Sequence, residues 1–552
     1  MTHSDIVHPR WGRPISQYPR SYTNEALAAR LKAPIKAKER AASRTIALRT
    51  IEEICMLSEP ALEAKVYADT VARITLSKLE SILELTRFTS EYENLALPKL
   101  IAGGIELLSS VTPSPLAYEY GYLCFRTLVF ALNACVLKYG GVWDETIARI
   151  SSAPPSHRFP IFWDNSATLL IEEMIYYCGD MEVLSKTGPA SPRRWLIPAF
   201  DPGKLDKLLS TLHSDQKNLL IALRDTGSLG LSALLFILKK HVENKRPYMS
   251  TSEYLEQAFL PYFRVLYRYQ ITLPDLGSEI VVARTLCSEN MMDLEDEYFI
   301  DLDDSRNVIQ AYISSTNSPG DRRRFKFHDN TPLDFVPSLV VPGCEDLIPD
   351  MFDAALQVLW ESVLVGFQLP SVAGLLCRTL HEFCYILDGL ERQVKRSHRV
   401  KQSWIFKLGD RIVENDVVGL ILRLELVKSG PGPHDLEALG GIESDEHLSI
   451  IQIFLSLVAF LPPQYLPRRL RESGIVHDWQ KYFMHLGALD SSGLRAGPTD
   501  PNFTIQGFCA RIISFFHLKL LGSRLEDGIS TLQERSEMCK NPRCPAGLCT
   551  PT

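Results

Sequence analysis

Apolar residues recur at spacings of three and four along most of this 552-residue chain, and this periodicity most constrains how the chain can fold. Side chains at these spacings share one face of an α-helix, whereas the alternating pattern typical of a half-buried strand is scarce. The clearest stripes are Phe352, Leu356, Leu359 and Val363, and Leu376, Leu380, Phe383, Leu387 and Leu390. The pattern predicts an all-α fold.

Segments rich in Pro, Gly, Ser or Asp interrupt the helical pattern. The interruptions are 151–160, 186–203, 314–350, 428–447 and 487–502. The groups of helices between them resemble the irregular stacking of armadillo and HEAT proteins, although no strict repeat period is present. A single irregular helical bundle is the alternative architecture.

The expected organisation is an extended N-terminal segment (1–23), a helical region (24–313), a loop-rich break (314–350), a second helical region (351–535) and an irregular cysteine-containing tail (536–552). Within the first helical region, residues 116–138 are predicted to form one long, mostly apolar core helix. Just before it, Gly103 and Gly104 are predicted to interrupt a helix.

Composition and charge limit the classes of partner. The chain is 45% hydrophobic and 23% charged, and its formal net charge of -7 gives no general attraction for nucleic acid. The N-terminus lacks the apolar run of a signal peptide. The most apolar run, 448–461, is shorter than the roughly 20 residues that cross a bilayer. We expect an intracellular protein, cytoplasmic or nuclear, without membrane contact.

Cysteines in the helical regions are expected to be buried free thiols. Cys124, Cys135, Cys377 and Cys384 lie within apolar helical patterns, where a thiol behaves as a small hydrophobic group. No compact disulfide framework is recognisable, which favours a reducing compartment.

An acidic cluster lies near the end of the first helical region. It consists of Asp293, Glu295, Asp296, Glu297, Asp301, Asp303 and Asp304. Carboxylates at this density could hold Mg²⁺ or Ca²⁺ in a helical enzyme, although no register supplies the glycine and glutamate of an EF-hand loop. A solvated acidic surface is the alternative.

Two basic clusters could contact phosphate or nucleic acid, and the first of them could also be a nuclear import signal. One is the run 322–326 in the longest break, and the other consists of Arg392, Lys395, Arg396, Arg399 and Lys401. A flexible basic loop and a solvated helix end are the alternative interpretations.

No catalytic residues are predicted. His381 and Glu382 begin like a zinc-protease motif, but a second histidine one turn later is missing. The nucleophile elbow of hydrolases, the phosphate-binding loop of nucleotide hydrolases and the dinucleotide-binding fingerprint are also missing from the sequence.

Three cysteines, Cys539, Cys544 and Cys549, lie in the turn-rich tail. Cysteine thiolate is a strong zinc ligand, and a structural zinc site requires four ligands. The tail supplies three of them, so a fourth ligand would have to come from elsewhere. A loose terminus with free thiols is the alternative interpretation.

The spacing Cys539-x-Asn-Pro-x-Cys544 after a long helical region resembles the MYND-type zinc-finger proteins that are numerous in mushroom-forming fungi. The segment 229–241, followed by a helix beginning at Tyr254, is also similar to that family. Cys539 and Cys544 match its first ligand pair, whereas the later ligands are missing, so the resemblance implies a truncated finger. MYND fingers are protein-interaction modules, and the resemblance therefore implies interaction rather than catalysis.

The sequence favours a non-enzymatic protein-interaction scaffold with an unidentified protein partner, because stacked helices leave surfaces suited to extended partners. The alternative is a nuclear regulator that contacts nucleic acid through the two basic clusters. A third hypothesis is a helical enzyme that uses the carboxylates of 293–304.

Overall fold

The computed structural model describes residues 7–59, 62–178, 201–227, 230–273, 277–288, 300–316, 335–365, 379–387, 403–417, 419–420, 461–462 and 464–475. Helices dominate these residues, which contain two isolated β-bridges and no strand. The all-α class is therefore confirmed, whereas an armadillo or HEAT arrangement stays a prediction. The chain divides into two compact units, Met1–Glu297 and Tyr298–Thr552.

The first unit consists of helices joined mostly by short turns. They are α1 (Asn24–Lys32), α2 (Ala37–Met56), α3 (Ala64–Arg73), α4 (Leu76–Leu85), α5 (Pro98–Ser109), α6 (Glu119–Tyr139), α7 (Trp143–Ser152), α8 (Pro155–Cys178), α9 (Pro202–Ser214), α10 (Gln216–Thr226), α11 (Ser232–Lys245), α12 (Thr251–Tyr254, a π-helical turn Leu255–Phe259, and Leu260–Gln270) and α13 (Ser278–Ser288). The π-helical turn ends two residues before Pro261, which lacks the N–H group that donates in a regular helix.

Helix α6 is the centre of the first unit, as the sequence predicted for 116–138. Every residue from Glu119 to Leu137 except Arg126 is buried, and α4, α5, α8 and α11 pack around it. By length and composition α6 could cross a membrane, but its whole apolar window is buried inside the protein. A helix that is apolar on all sides and enclosed by neighbours is a core helix.

The prediction that Gly103 and Gly104 interrupt a helix is wrong, because α5 continues through both residues. Gly103 lies where α5 meets α2. A Cβ atom at this position would lie only 1.9 Å from the backbone oxygen of Ile54. The missing side chain therefore allows the two helix backbones to approach closely, and the favourable packing outweighs the low helix propensity of glycine.

The predicted break at 151–160 is also wrong over most of its length. Helix α8 begins at Pro155, a residue that is tolerated in the first helical turn, and continues through Pro160. Tertiary packing offsets the lost backbone hydrogen bond at Pro160. The ring of Phe162 on α8 stacks against Phe130 of α6, with 4.6 Å between the ring centroids.

Helix α12 begins at Thr251 rather than at Tyr254. The Ser250 side chain accepts a hydrogen bond from the Glu253 backbone, and the Glu253 side chain accepts one from the Ser250 backbone. This reciprocal capping box satisfies N–H groups that would otherwise be unpaired at the start of a helix.

The N-terminal segment is bound to the start of α6 through the buried carboxylate of Glu119. Arg13 donates to this carboxylate from Nε at 2.9 Å and also from Nη2, and the Tyr22 hydroxyl donates at 2.8 Å. The backbone adds a hydrogen bond of 2.9 Å from the N–H of Glu119 to the carbonyl of Arg13. These contacts connect a segment predicted to be extended to the central helix.

The pKa of Glu119 reflects two opposing effects. Burial would raise this pKa, but hydrogen bonds from Arg13 and Tyr22, together with the charge of Arg13, outweigh burial and hold the pKa below its ordinary value. The carboxylate is therefore ionised in the folded protein at neutral pH.

The described helices of the second unit are α14 (Leu302–Thr316), α15 (Ile348–Val365), α16 (379–387), α17 (Ser403–Glu414) and α18 (Tyr465–Glu472). The described residues of the two predicted apolar stripes lie on helices α15 and α16. Phe352 and Phe383 are fully buried, and their ring centroids are 4.6 Å apart. Cys384 is buried, as are Cys124 and Cys135 in the first unit. Cys377 lies outside the described residues.

Substitution of Gly103 by Ala is expected to lower the free energy of unfolding by about 3 kcal/mol, because the new methyl group forces α5 away from α2. Gly104→Ala is the matched control. Its Cβ would lie 3.6 Å from the Leu128 side chain, so it should be neutral or stabilising by about 0.5–1 kcal/mol. Urea denaturation followed by circular dichroism measures both values, and equal effects of the two substitutions would contradict the packing role of Gly103.

Arg13→Ala should destabilise the protein by about 2 kcal/mol at neutral pH, because it leaves the buried Glu119 carboxylate without its cation. We expect less than for a fully buried pair, since water partly screens Arg13. The pKa of Glu119 is below its ordinary value of 4.5, so the pair stabilises the fold above that pH. The difference between wild type and variant should therefore shrink as pH falls through the folded pKa.

Arg20→Ala is the control for this experiment, because Arg20 is an exposed arginine in the same N-terminal segment. Thermal or urea unfolding at a series of pH values provides the measurement. A difference between Arg13→Ala and wild type that is independent of pH down to pH 3 would show that Glu119 does not carry the effect.

Candidate functional site

Most of the sites predicted from the sequence lie outside the described residues. These are the tail cysteines Cys539, Cys544 and Cys549, the basic run 322–326, the basic residues of 392–401 and the carboxylates of 293–297. The zinc, nucleic-acid and metal-dependent enzyme hypotheses that depend on them stay predictions.

The described end of the acidic cluster forms the start of a helix. The Asp301 carboxylate accepts a hydrogen bond of 2.8 Å from the backbone N–H of Asp304, in the manner of a helix N-cap. Asp303 is exposed and Asp304 is buried, so these carboxylates do not share one environment. No group of three or more His, Cys, Asp or Glu residues suited to a metal ion occurs among the described residues.

Two further buried carboxylates support the fold of the first unit. Asp215 accepts hydrogen bonds from the Ser114 hydroxyl and from the backbone N–H of Leu116, and burial raises its pKa. Glu279 accepts from the hydroxyls of Ser232 and Tyr269, and burial raises its pKa as well. Because both carboxylates are enclosed, their protein partners tie neighbouring helices together.

A polar cleft of about 300 Å³ lies in the first unit, between the N-terminal half of α2 and the residues that follow α4. We call it the arginine cleft and define it by the lining residues Arg40, Ser43, Arg44, Arg87, Phe88 and Glu91. Its volume is at the lower end of the range for ligand-binding clefts.

Two features of the sequence position these side chains. Arg40, Ser43 and Arg44 have helical spacings of three and four, so they share one face of α2. The first buried residue of α2 is Ala47, and the N-terminal half of this helix is therefore not covered by the core. The opposite wall is formed by the chain just after α4 and by the 3₁₀ turn Thr89–Leu95.

Ion pairs fix two of the three arginines in the cleft. Arg44 Nε lies 2.8 Å from the Glu91 carboxylate, which also accepts a hydrogen bond of 2.9 Å from the Asn94 amide. Arg87 Nη1 lies 3.0 Å from the Glu84 carboxylate, and Arg87 Nη2 donates to the carbonyl of Ala33. These contacts join α2 and the α1–α2 connection to α4 and the residues after it.

Arg40 differs from the other two arginines. Its guanidinium carbon lies 3.8 Å from the centroid of the Phe88 ring, in a cation–π contact. Within the part of the chain that the structure describes, Arg40 has no carboxylate partner. The Arg40 N–H groups have no acceptor among the described residues, so they are available to an acceptor from a ligand.

Two buried N–H donors around the cleft also have no acceptor among the described residues. They are Nε of Arg87 and Nη1 of Arg30, whose guanidinium pairs with the same Glu84 carboxylate as Arg87. Leaving such a donor unpaired costs about 1–3 kcal/mol. An acceptor brought by a ligand or by water would remove this cost for Arg87, which lines the cleft.

Positive and negative charges are balanced in the lining of the cleft, which contains three arginines (Arg40, Arg44 and Arg87) and three carboxylates (Glu39, Glu84 and Glu91). Two further cations, Arg30 and Lys36, pair with Glu84 and Glu39. Glu39 pairs with Lys36, so each of the three carboxylates already has a cation. The arrangement is suited to recognising an anion, because guanidinium groups bind carboxylate and phosphate oxygens in pairs.

Sequence reasoning did not find the arginine cleft. Arg40 and Arg44 have the spacing of ordinary surface charges on a helix, and Phe88 lies far from them along the chain. Only the folded structure brings these residues together. The sequence contains one weak signal. Residues 37–45 of α2 include no large apolar residue, so this part of the helix lacks the side chains of a buried face.

Comparison with known proteins does not assign this chain to a family. No protein-family model matches it. No curated protein matches it significantly. The resemblance to MYND-type proteins therefore stays a prediction, and the geometry of the first unit is the basis for a functional proposal.

Proposed function

We propose that this protein is a non-enzymatic helical scaffold that binds a protein partner, and that the arginine cleft is one of its contact sites. Its helices would form an irregular stack of the armadillo or HEAT type. The observation that carries the proposal is Arg40, a cation that is held on Phe88 beside an uncovered helix half and has no carboxylate partner among the described residues.

The composition of the cleft supports recognition of a protein. Arginine and aromatic residues are enriched at the energetic centres of protein interfaces. Phe88 restricts the orientation of Arg40 before a partner arrives, so less side-chain entropy is lost on binding. Ion pairs restrict Arg44 and Arg87 in the same way.

Recognition is better supported than catalysis or nucleic-acid binding. Ser43 carries the only hydroxyl on the residues that define the cleft, and no basic side chain among the described residues is hydrogen-bonded to it as nucleophilic catalysis would require. Three arginines and three carboxylates line the cleft, so its lining does not carry the excess of cations with which proteins bind a phosphate backbone. The net charge of -7 adds no general attraction for nucleic acid.

The proposal predicts a stoichiometric complex that depends on Arg40. A partner would be isolated with the full chain, and the complex rebuilt from purified components and measured by size-exclusion chromatography with light scattering. Arg40→Glu should weaken the complex at least about tenfold, because it reverses the charge of the contact. Lys38→Glu is the matched control, since Lys38 is exposed on the same first turns of α2 and does not line the cleft.

The two parts of the proposal fail in different ways. If no protein forms a stoichiometric complex with the wild-type chain, the scaffold function is wrong. If a complex forms and Arg40→Glu binds as tightly as Lys38→Glu, the arginine cleft is not a contact site.

A further inference from the structure

We infer that the arginine cleft binds a side-chain carboxylate of an acidic peptide segment. The inference rests on the proposed scaffold function and deepens it by naming the chemistry that the partner presents. It is carried by the hydrogen-bonding capacity that the cleft leaves unused, by the position of Arg40 on Phe88 and by the pairing of the other charges in the cleft.

Unused hydrogen-bonding capacity is the first argument. The Arg87 side chain is only 10% exposed, and its two terminal nitrogens donate to Glu84 and to the carbonyl of Ala33. Its Nε is buried and has no acceptor among the described residues. Because Arg87 lines the cleft, a small shift of its side chain would let a ligand oxygen supply the missing acceptor, and a buried charged donor is stable when it is paired.

The position of Arg40 on Phe88 is the second feature. The ring contacts the guanidinium without supplying an oxygen acceptor, so the Arg40 N–H groups remain able to donate. A carboxylate can accept two parallel hydrogen bonds from one edge of a guanidinium. Arg44 lies one helical turn further along the same face and is anchored by Glu91, so it can donate to the same ligand or to the next carbonyl of a peptide.

The charge balance favours a carboxylate over a phosphate. Every carboxylate of the site has a cation of its own, and Arg40 is the arginine of the cleft that has no carboxylate partner among the described residues. One carboxylate brings one negative charge to this position. A phosphate group brings about 1.5 to 2 negative charges and would lie beside Glu39, Glu84 and Glu91.

The size of the cleft limits its occupant to a short segment. A volume of about 300 Å³ has room for a side chain and its adjoining backbone, but not for a folded domain. We therefore assign the site to an extended acidic peptide segment of a protein partner, with one glutamate or aspartate side chain inside the cleft.

A fluorescein-labelled hexaglutamate peptide tests this assignment by fluorescence anisotropy with the full chain. We expect saturable binding that weakens with added salt, because the contact is partly exposed. Arg40→Gln should weaken this binding about tenfold through the loss of charged hydrogen bonds. Lys38→Gln should leave it unchanged. Both side chains are exposed, so thermal unfolding of the two variants should match that of the wild type.

A phosphoserine peptide of the same length completes the experiment. Weaker binding of the phosphoserine peptide than of hexaglutamate supports the carboxylate, and tighter binding overturns it in favour of phosphate. Failure of hexaglutamate to bind, or equal binding to wild type and Arg40→Gln, also overturns the inference. If the peptide results overturn the inference but a protein partner still forms a stoichiometric complex with the chain, the scaffold function stands. If the peptide binds but no protein forms such a complex, only the scaffold function is wrong.

Discussion

The burial of α6 along almost its whole length is the constraint on which the first unit depends. A helix buried from Glu119 to Leu137, with Arg126 as the exception, requires neighbours on every side. Arg126 itself lies over the Trp163 ring of α8, with 5.3 Å between its guanidinium carbon and the ring centroid. The buried charge at the start of α6 requires Arg13, which explains why the N-terminal segment is bound there.

The same packing produces the arginine cleft. The C-terminal half of α2 is held against α4 and α5, and Gly103 allows the close approach to α5. The N-terminal half of α2 extends beyond this contact, and none of its residues is buried before Ala47. The uncovered half of the helix therefore faces the residues after α4 across a polar space, in which ion pairs and the Phe88 ring hold the arginines.

Features that depend on residues close together in the sequence were predictable, whereas features that depend on residues far apart in the sequence were not. The all-α class and the core position of α6 were predictable, because helical periodicity and continuous apolar composition are local patterns. Gly103 and Pro160 were misinterpreted, since tertiary packing against Ile54 and Phe130 overrides their local preference. The arginine cleft was not predictable, because Arg40 and Phe88 come together only in the folded chain. The zinc expectation for Cys539, Cys544 and Cys549 lies outside the described residues.

The most direct test of the account is NMR of the arginine side chains. With ¹⁵N-labelled arginine in the full chain, the Nε–H resonances of Arg40, Arg87 and Arg49 are assigned by substitution and followed during titration with the hexaglutamate peptide. The account predicts that Arg40 and Arg87 shift together and exchange more slowly with water, whereas Arg49, an exposed α2 arginine paired with Glu53, stays unchanged. Unchanged Arg40 and Arg87 resonances at saturating peptide would contradict the assignment of the cleft as a binding site.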